Sequence, residues 1–187
     1  NSSRLRVIKF GTGLESIGEG AFSGCGSLTD INIPGNLKTV EKRAFDCCYS
    51  LLNVRFPDST TYLGEYIFSY CTNLRTFAIP LGVTVLRGAL FYGCENLEEV
   101  VLHDKLQRIE MEVFRNCFQL KQIIIPDSVT SIGEHDFSYC RNLSSVTLGR
   151  NLTEIQKFAF SESGVTDITV PEKVTEIGFG AFHKCFN

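Results

Sequence analysis

The sequence predicts an α/β repeat solenoid: one elongated domain over residues 1–187, wound as about eight coils of 22–23 residues with a parallel sheet along one side. Three observations predict it. The stretch Leu120 to Asn142, LKQIIIPDSVTSIGEHDFSYCRN, is restated along the whole chain. A phenylalanine returns as Phe22, Phe45, Phe68, Phe91, Phe114, Phe137, Phe160 and Phe182, in steps of 23 residues and a last step of 22. Each copy also opens with Leu-x-x-apolar-x-apolar, as in Leu28–Ile33, Leu51–Phe56 and Leu97–Leu102. A unit this short cannot bury its own apolar face, so neighbouring copies must stack to share one core.

The coils run 5–27, 28–50, 51–73, 74–96, 97–119, 120–142, 143–164 and 165–187. Apolar residues at coil positions four and six around a polar position five give the alternation of a half-buried strand. Pro34, Pro57, Pro80, Pro126 and Pro171 stop that strand, because proline has no N–H to give a ladder. A second apolar pair follows on the opposite side, for example Leu37/Val40, Leu106/Ile109 and Val129/Ile132, and predicts a short extended segment. Gly18, Gly64, Gly133 and Gly178 come next and predict a tight bend with positive φ. In the remainder, such as Glu19–Cys25, Phe and Cys stand three apart, the spacing of one face of a short helical turn. Departures are few. Thr60 replaces Leu or Val and predicts a softer third coil; Asp136 replaces an apolar residue and predicts a half-buried slot. The seventh coil drops one residue, which Gly164 absorbs.

Bulk composition narrows the function. A net charge of −3 and a pI near 5.7 lack the dense basic field that a nucleic acid requires. No apolar run is long enough to span a membrane, which predicts no membrane insertion, and no secretory signal opens the sequence. Neither end reads as a polar capping coil, so the chain is expected to be a piece of a longer protein.

Chemistry-bearing residues are sparse. Cys25, Cys48, Cys71, Cys94, Cys117, Cys140 and Cys185 share one inward repeat position. A straight row with parallel side chains suits neither disulfides nor the tetrahedral convergence of zinc, so these read as buried thiols. Cys47 stands outside the row and reads as a surface residue; if exposed, it is the thiol open to modification or cross-linking. His103, His135 and His183 fall at different coil positions, and Glu134–His135–Asp136 reads as solvated surface. No phosphate loop and no Ser/His/Asp set emerges on one face, so no cofactor and no enzyme activity are expected. Sequons occur at Asn1, Asn142 and Asn151, and the last two sit at turn positions that favour Asn anyway.

The outward row of the predicted sheet is more informative. Position five reads Lys9, Asn32, Arg55, Ala78, Val101, Ile124, Thr147, Thr169, with three consecutive apolar residues at its centre. Position three, from Val7 and Asp30 to Ser145 and Asp167, is mostly polar. An apolar centre with a polar rim is the composition of an interaction surface. The predicted contact set is Ala78, Val101 and Ile124, framed by Arg55, Arg75, Glu99 and Gln122. Tyr49, Tyr70, Tyr92, Tyr139 and Phe118 form a second, weaker candidate on another side.

The pattern I-P-x-x-V-T-x-I-G-x-x-A-F-x-x-C-x-x-L, present at Ile125–Leu143 and matched at Ile33–Leu51 and Val170–Cys185, resembles the BspA-like, Treponema pallidum-type leucine-rich repeats across essentially the whole chain. The resemblance implies a right-handed leucine-rich-repeat solenoid with a concave parallel sheet. It also implies a surface-exposed or secreted protein that binds host or other cell-surface proteins, with no catalytic residues to carry over. Self-association through the same stripe into a homo-oligomer is the alternative, and an enzyme a distant one. The asparagine ladder of other leucine-rich repeats is missing: its position holds Asn36, Ser59, Gly82, Lys105, Ser128, Asn151 and Lys173, so no staple is expected there.

Overall fold

A computed structural model describes residues 4–185 as a parallel-sheet β-solenoid of about seven turns. Among the described residues the strands are β1 (Val7–Lys9) and β2 (Ser16–Ile17) in the first coil, β3 (Asp30–Asn32) and β4 (Thr39–Val40) in the second, and β5 (Tyr62–Leu63) in the third. Next come β6 (Thr76–Ala78) and β7 (Val85–Leu86), β8 (Glu99–Val101) and β9 (Arg108–Ile109), and β10 (Gln122–Ile124) and β11 (Ser131–Ile132). β12 (Ser145–Thr147), β13 (Glu154–Ile155) and β14 (Glu176–Ile177) complete the series. The three-residue strands form a front row and the two-residue strands a back row. All pairings are parallel and in repeat register, as in Val7↔Asp30, Thr76↔Glu99 and Ser131↔Glu154. The eighth segment carries β14 in the back row and no front strand, so the front of the solenoid stops one step short of the expected eight coils.

The apolar alternation did its work: Ile31, Phe77, Val100 and Ile123 point inward from the front strands and Val40, Leu86, Ile109 and Ile132 from the back. Between the rows runs a file of phenylalanines. Successive rings from Phe22 to Phe182 lie 5.1–6.0 Å apart and within 14° of parallel. Each proline carbonyl accepts the N–H three residues on, for example Val83 to Pro80 at 2.9 Å, so proline both ends the strand and opens the corner.

The expected helical turn does not form, and no described residue is helical, so the α part of the α/β expectation is not met there. The reason lies in where the N–H groups go. Gly20, Phe22 and Gly24 donate to the next coil's Lys42, Ala44 and Asp46 carbonyls at 2.8–2.9 Å, whereas Ala21 and Ser23 turn back to Gly18 and Gly20. Later coils repeat this alternation, as Arg43, Phe45 and Cys47 do toward Glu65, Ile67 and Ser69. A helix sends every N–H along its own chain and cannot feed a neighbour. The alternation requires two left-handed residues per coil, from Gly20/Gly24 and Arg43/Cys47 to Gly180/Lys184, with φ of 49–72°. L-residues enter that region singly, never as a helix.

Three further expectations are corrected. Gly18, Gly64, Gly133 and Gly178 are not the positive-φ glycines; those are Gly20, Gly24, Gly93 and Gly180. Instead, a Cβ on Gly64, Gly133 or Gly178 would sit 2.4–2.6 Å from backbone atoms of the preceding coil, so close approach selects glycine there. Asp136 is fully buried, not half-buried. The corner staple exists in part: Asn36, Ser59 and Asn151 donate to the carbonyls of Thr12, Gly35 and Asp127 at 2.8–2.9 Å. In the third coil, buried Thr60 bonds the Leu37 carbonyl at 3.2 Å, and the front strand shrinks to Asn53, bridged to Asp30 and Thr76. The deletion in the seventh coil falls at Gly164, where a Cβ would meet the Arg141 carbonyl oxygen at 2.2 Å.

Two substitutions test the left-handed ladder and the ring file. Glu162→Gly relieves a left-handed residue and should raise stability in urea by about 0.5 kcal/mol, the strain relieved less the added chain entropy. Phe114→Ala should lower it by about 3–5 kcal/mol, because it empties the middle of the file.

Candidate functional site

The front row presents every second side chain outward, and its strands read exposed–buried–exposed in β3, β6, β8 and β10. All seven predicted contact residues, Arg55, Arg75, Ala78, Glu99, Val101, Gln122 and Ile124, are exposed. Ala78 and Val101 are register partners, and Ile124 stands one coil further on, so the three form a stripe. Val101 and Ile124 leave 54% and 65% of their surfaces open. Beside the stripe the sheet is hollowed into a groove of about 660 Å³, to which Arg55, Ala78, Glu99 and Val101 contribute together with Asn32 and Asn53. Arg75, Gln122 and Ile124 lie outside its lining.

Charges along this face are unevenly committed. Glu98 binds Arg75 at 3.1 Å and Lys121 at 2.8 Å, and the Lys121 hydrogen bond holds its carboxyl below the usual carboxylate range. Arg75 is therefore part of a flanking ion chain and not a free cation. Among the described residues Arg55 and Glu99 make no ion pair, and both line the groove. Sequence reasoning missed Asn32 and Asn53 as groove residues. Both were visible as polar members of the outward rows, but the thinning of the front strand at Asn53, beside which the hollow lies, shows only in the structure.

The second candidate surface holds a cavity of about 380 Å³ lined by Arg43, Cys47, Tyr66, Tyr70, Tyr92 and Glu112, among others. Its rings are largely engaged within the chain. Tyr70 packs edge-on to Tyr92 at 5.4 Å, Arg115 lies over Tyr92 and Tyr139, and Arg141 lies over Phe118.

The inward cysteines make a ladder of their own. Cys48, Cys71, Cys94, Cys117, Cys140 and Cys185 are free thiols that donate to the carbonyl of the phenylalanine one coil earlier at 3.0–3.3 Å. Burial pushes Cys48 up to about 12 and the next four higher still or similarly upward, so none is ionised near neutrality. Cys47 is half-buried; its own burial raises its pKa, opposed by a hydrogen bond from Tyr49. The histidines stay apart. His103 bonds the Pro80 carbonyl at 2.9 Å, and His135 stacks on Phe158 at 5.0 Å and meets Ser138 at 3.0 Å. Because Asp136 turns inward and His135 outward, Glu134–His135–Asp136 is not the solvated cluster expected. Among the described residues, no three His, Cys, Asp or Glu side chains are grouped to hold a metal ion. The Asn1 sequon lies outside the described residues. At Asn142 and Asn151 the side-chain amide nitrogens are bonded, to Gln119 and to the Asp127 carbonyl.

Known proteins share this arrangement. The sequence profile of the BspA type leucine rich repeat region matches residues 1–121 and 107–187, in 6 copies. A leucine rich cell surface protein from Faecalibacterium prausnitzii is 35% identical over 80% of this chain and 41% of its own, with a TM-score of 0.74. A leucine-rich repeat protein from Bacteroides ovatus is 34% identical over 98% of this chain and 53% of its own, with a TM-score of 0.78. The T. pallidum leucine rich repeat protein is 26% identical over 94% and 73%, with a TM-score of 0.75. The chain thus spans about half the length, or less, of the first two. No curated protein matches it.

The thiol geometry gives a direct check. With an aromatic disulfide reagent at pH 7.5, half-buried Cys47 and Cys185 should react first and more slowly than free cysteine, while Cys48, Cys71, Cys94, Cys117 and Cys140 react only after denaturant is added. Rapid native labelling of Cys94 or Cys117 would contradict the ladder.

Proposed function

The chain belongs to the BspA-type leucine-rich repeat family, and from that premise we propose that it is a non-enzymatic protein-binding module acting through its front sheet. Leucine-rich repeat domains are generally protein-interaction modules. The observation that carries the reading is the Ala78–Val101–Ile124 stripe, exposed beside a groove on a face that, apart from Val7 at one end, presents Asn, Thr, Ser, Gln and charged residues. Each coil has its apolar requirement met on the inside, so the core does not call for Val101 and Ile124. A partner that covers them gains their burial, and the free charges of Arg55 and Glu99 fix its orientation.

The proposed partner is a host or cell-surface protein, and the proposed setting is the cell surface. The Faecalibacterium relative, a cell surface protein at 35% identity, supports that setting. A right-handed winding sense, an eighth coil and a single domain over residues 1–187 belong to the same reading.

The test compares wild type with Val101→Asp/Ile124→Asp, first by light scattering and then by binding of labelled protein to epithelial cells. A monomer in both cases, with cell binding reduced roughly thirtyfold in the variant, is expected if the two side chains together contribute about 2 kcal/mol. Undiminished binding by the folded variant would overturn the site. A wild-type oligomer that the variant dissolves would make the stripe a self-association surface instead.

A further inference from the structure

One junction of the solenoid puts a side chain in place of its back-row ladder bond. At most junctions the residue after the back strand donates its N–H to the preceding coil. Glu41, Gly64, Glu110, Gln156 and Gly178 bond Ile17, Val40, Leu86, Ile132 and Ile155 in this way at 2.8–3.1 Å. At the fifth–sixth junction the equivalent donor, Gly133, bonds the Asp136 carboxylate Oδ2 at 2.6 Å. The other oxygen, Oδ1, accepts the Val113 N–H of the fifth coil at 3.0 Å. A side chain has taken over a bond of the ladder. Accordingly β9 and β11 do not pair, and neither do β8 and β10 in front. Among the described residues this is the one junction with no strand pairing or bridge in either row. Its bonds include those of the turn segment, from Glu112, Phe114 and Asn116 to Glu134, Asp136 and Ser138, those of Lys121 to Glu98 and Asn142 to Phe118, and that of Val113 to Asp136.

We propose that the junction between the fifth and sixth coils is a pH-sensitive seam, tight when the Asp136 carboxyl is protonated and loosened when it ionises. The carboxyl is completely buried, and among the described residues it forms no ion pair. The charged and titratable groups around it are Glu110 and Glu112 on the fifth coil, Glu134, His135 and Cys140 on the sixth, and Lys157 on the seventh. Glu110 and Glu112 are held by Arg108 and Arg115, and Lys157 by Glu134 at 3.0 Å, so the nearby positive charge is already engaged. Neither state of Asp136 is fully satisfied. The neutral acid turns a hydroxyl toward an N–H, and the anion is a buried charge without a counter-ion. Burial outweighs the two N–H donors and raises the group to about 8, with Glu112 and Glu110 adding to the rise. A carboxyl whose folded pKa lies above its unfolded value favours folding while protonated, and that contribution is lost as pH rises from about 4 to about 8.

Coil eight shows the seam's alternative. Its sequence Ile177–Phe182, IGFGAF, has Ala181 in the Asp136 slot, and Gly178 makes the ordinary bond to Ile155 at 2.8 Å. Asp136→Ala should therefore release the Gly133 N–H to the Ile109 carbonyl and close the ladder. The experiment measures urea unfolding and amide-exchange protection factors, corrected for intrinsic rates, at pH 5 and pH 8 for wild type and Asp136→Ala. In wild type, the unfolding constant should rise at least tenfold between the two pH values, and Gly133 and Val113 should lose protection relative to Gly64 and Gly178. In the variant the local loss of protection should vanish, and the rise in the unfolding constant should shrink to what His135 and the buried thiols contribute. Equal, pH-independent protection of Gly133 and Gly178 in wild type would overturn the proposal, as would an unchanged pH dependence in the variant. The wild-type exchange comparison stands even if the variant folds poorly, and none of these readouts involves a binding partner.

Discussion

The structure depends on one constraint: each coil must satisfy its neighbour's backbone as well as its own. A solenoid has no helix to absorb N–H groups internally and no wide sheet to spread them across. Front and back strands solve part of this with parallel ladders, and the turn segment solves the rest by sending alternate N–H groups to the next coil. Once that register is set, equivalent side chains stack at the strand spacing of about 4.8 Å. The phenylalanine file and the cysteine ladder follow from it. A bulky ring at the same position in each coil finds its own copy above and below, and a thiol finds the carbonyl of the ring's residue one coil back.

Most of the fold was legible because stacking makes sequence and structure share one period. Strand positions, the proline stops, the inward phenylalanines and the cysteine row all follow from residue type at a fixed repeat position. The misreadings come from bonds that cross between coils, which no single coil displays. Phe and Cys three apart looks helical in isolation, yet Phe22 and Gly24 donate outward. The glycines after the back strand looked like bends, yet Gly64 and Gly178 are small because the preceding backbone passes against them. Asp136 looked like a surface residue by its charge, and only the diverted Gly133 bond shows what it does inside.

The outward rows of the front sheet were read from the same alternation, and the structure places each of those side chains outside the core. The hollow beside them was not readable. It lies where the front strand thins to bridges at Asn53. A repeat sequence reports well on what every coil has in common, and poorly on where one coil departs from the next.

The two departures from uniformity stand close together. Val101 belongs to β8 and Ile124 to β10, the two front strands whose ladder is interrupted, and Asp136 bridges the same pair of coils from within. In a uniform solenoid neither feature has a reason to fall at one junction more than another. Under the proposed reading, a protein that covers both side chains spans the one junction that, among the described residues, has neither strand pairing nor bridge, and ties its two halves together from outside. Its binding energy then depends on the spacing of coils five and six, to which the buried carboxyl contributes alongside the turn-segment bonds and the Phe114–Phe137 stack. Stability and recognition are separable along most of this chain, because core rows and surface rows do not overlap. At this junction they act on the same pair of coils.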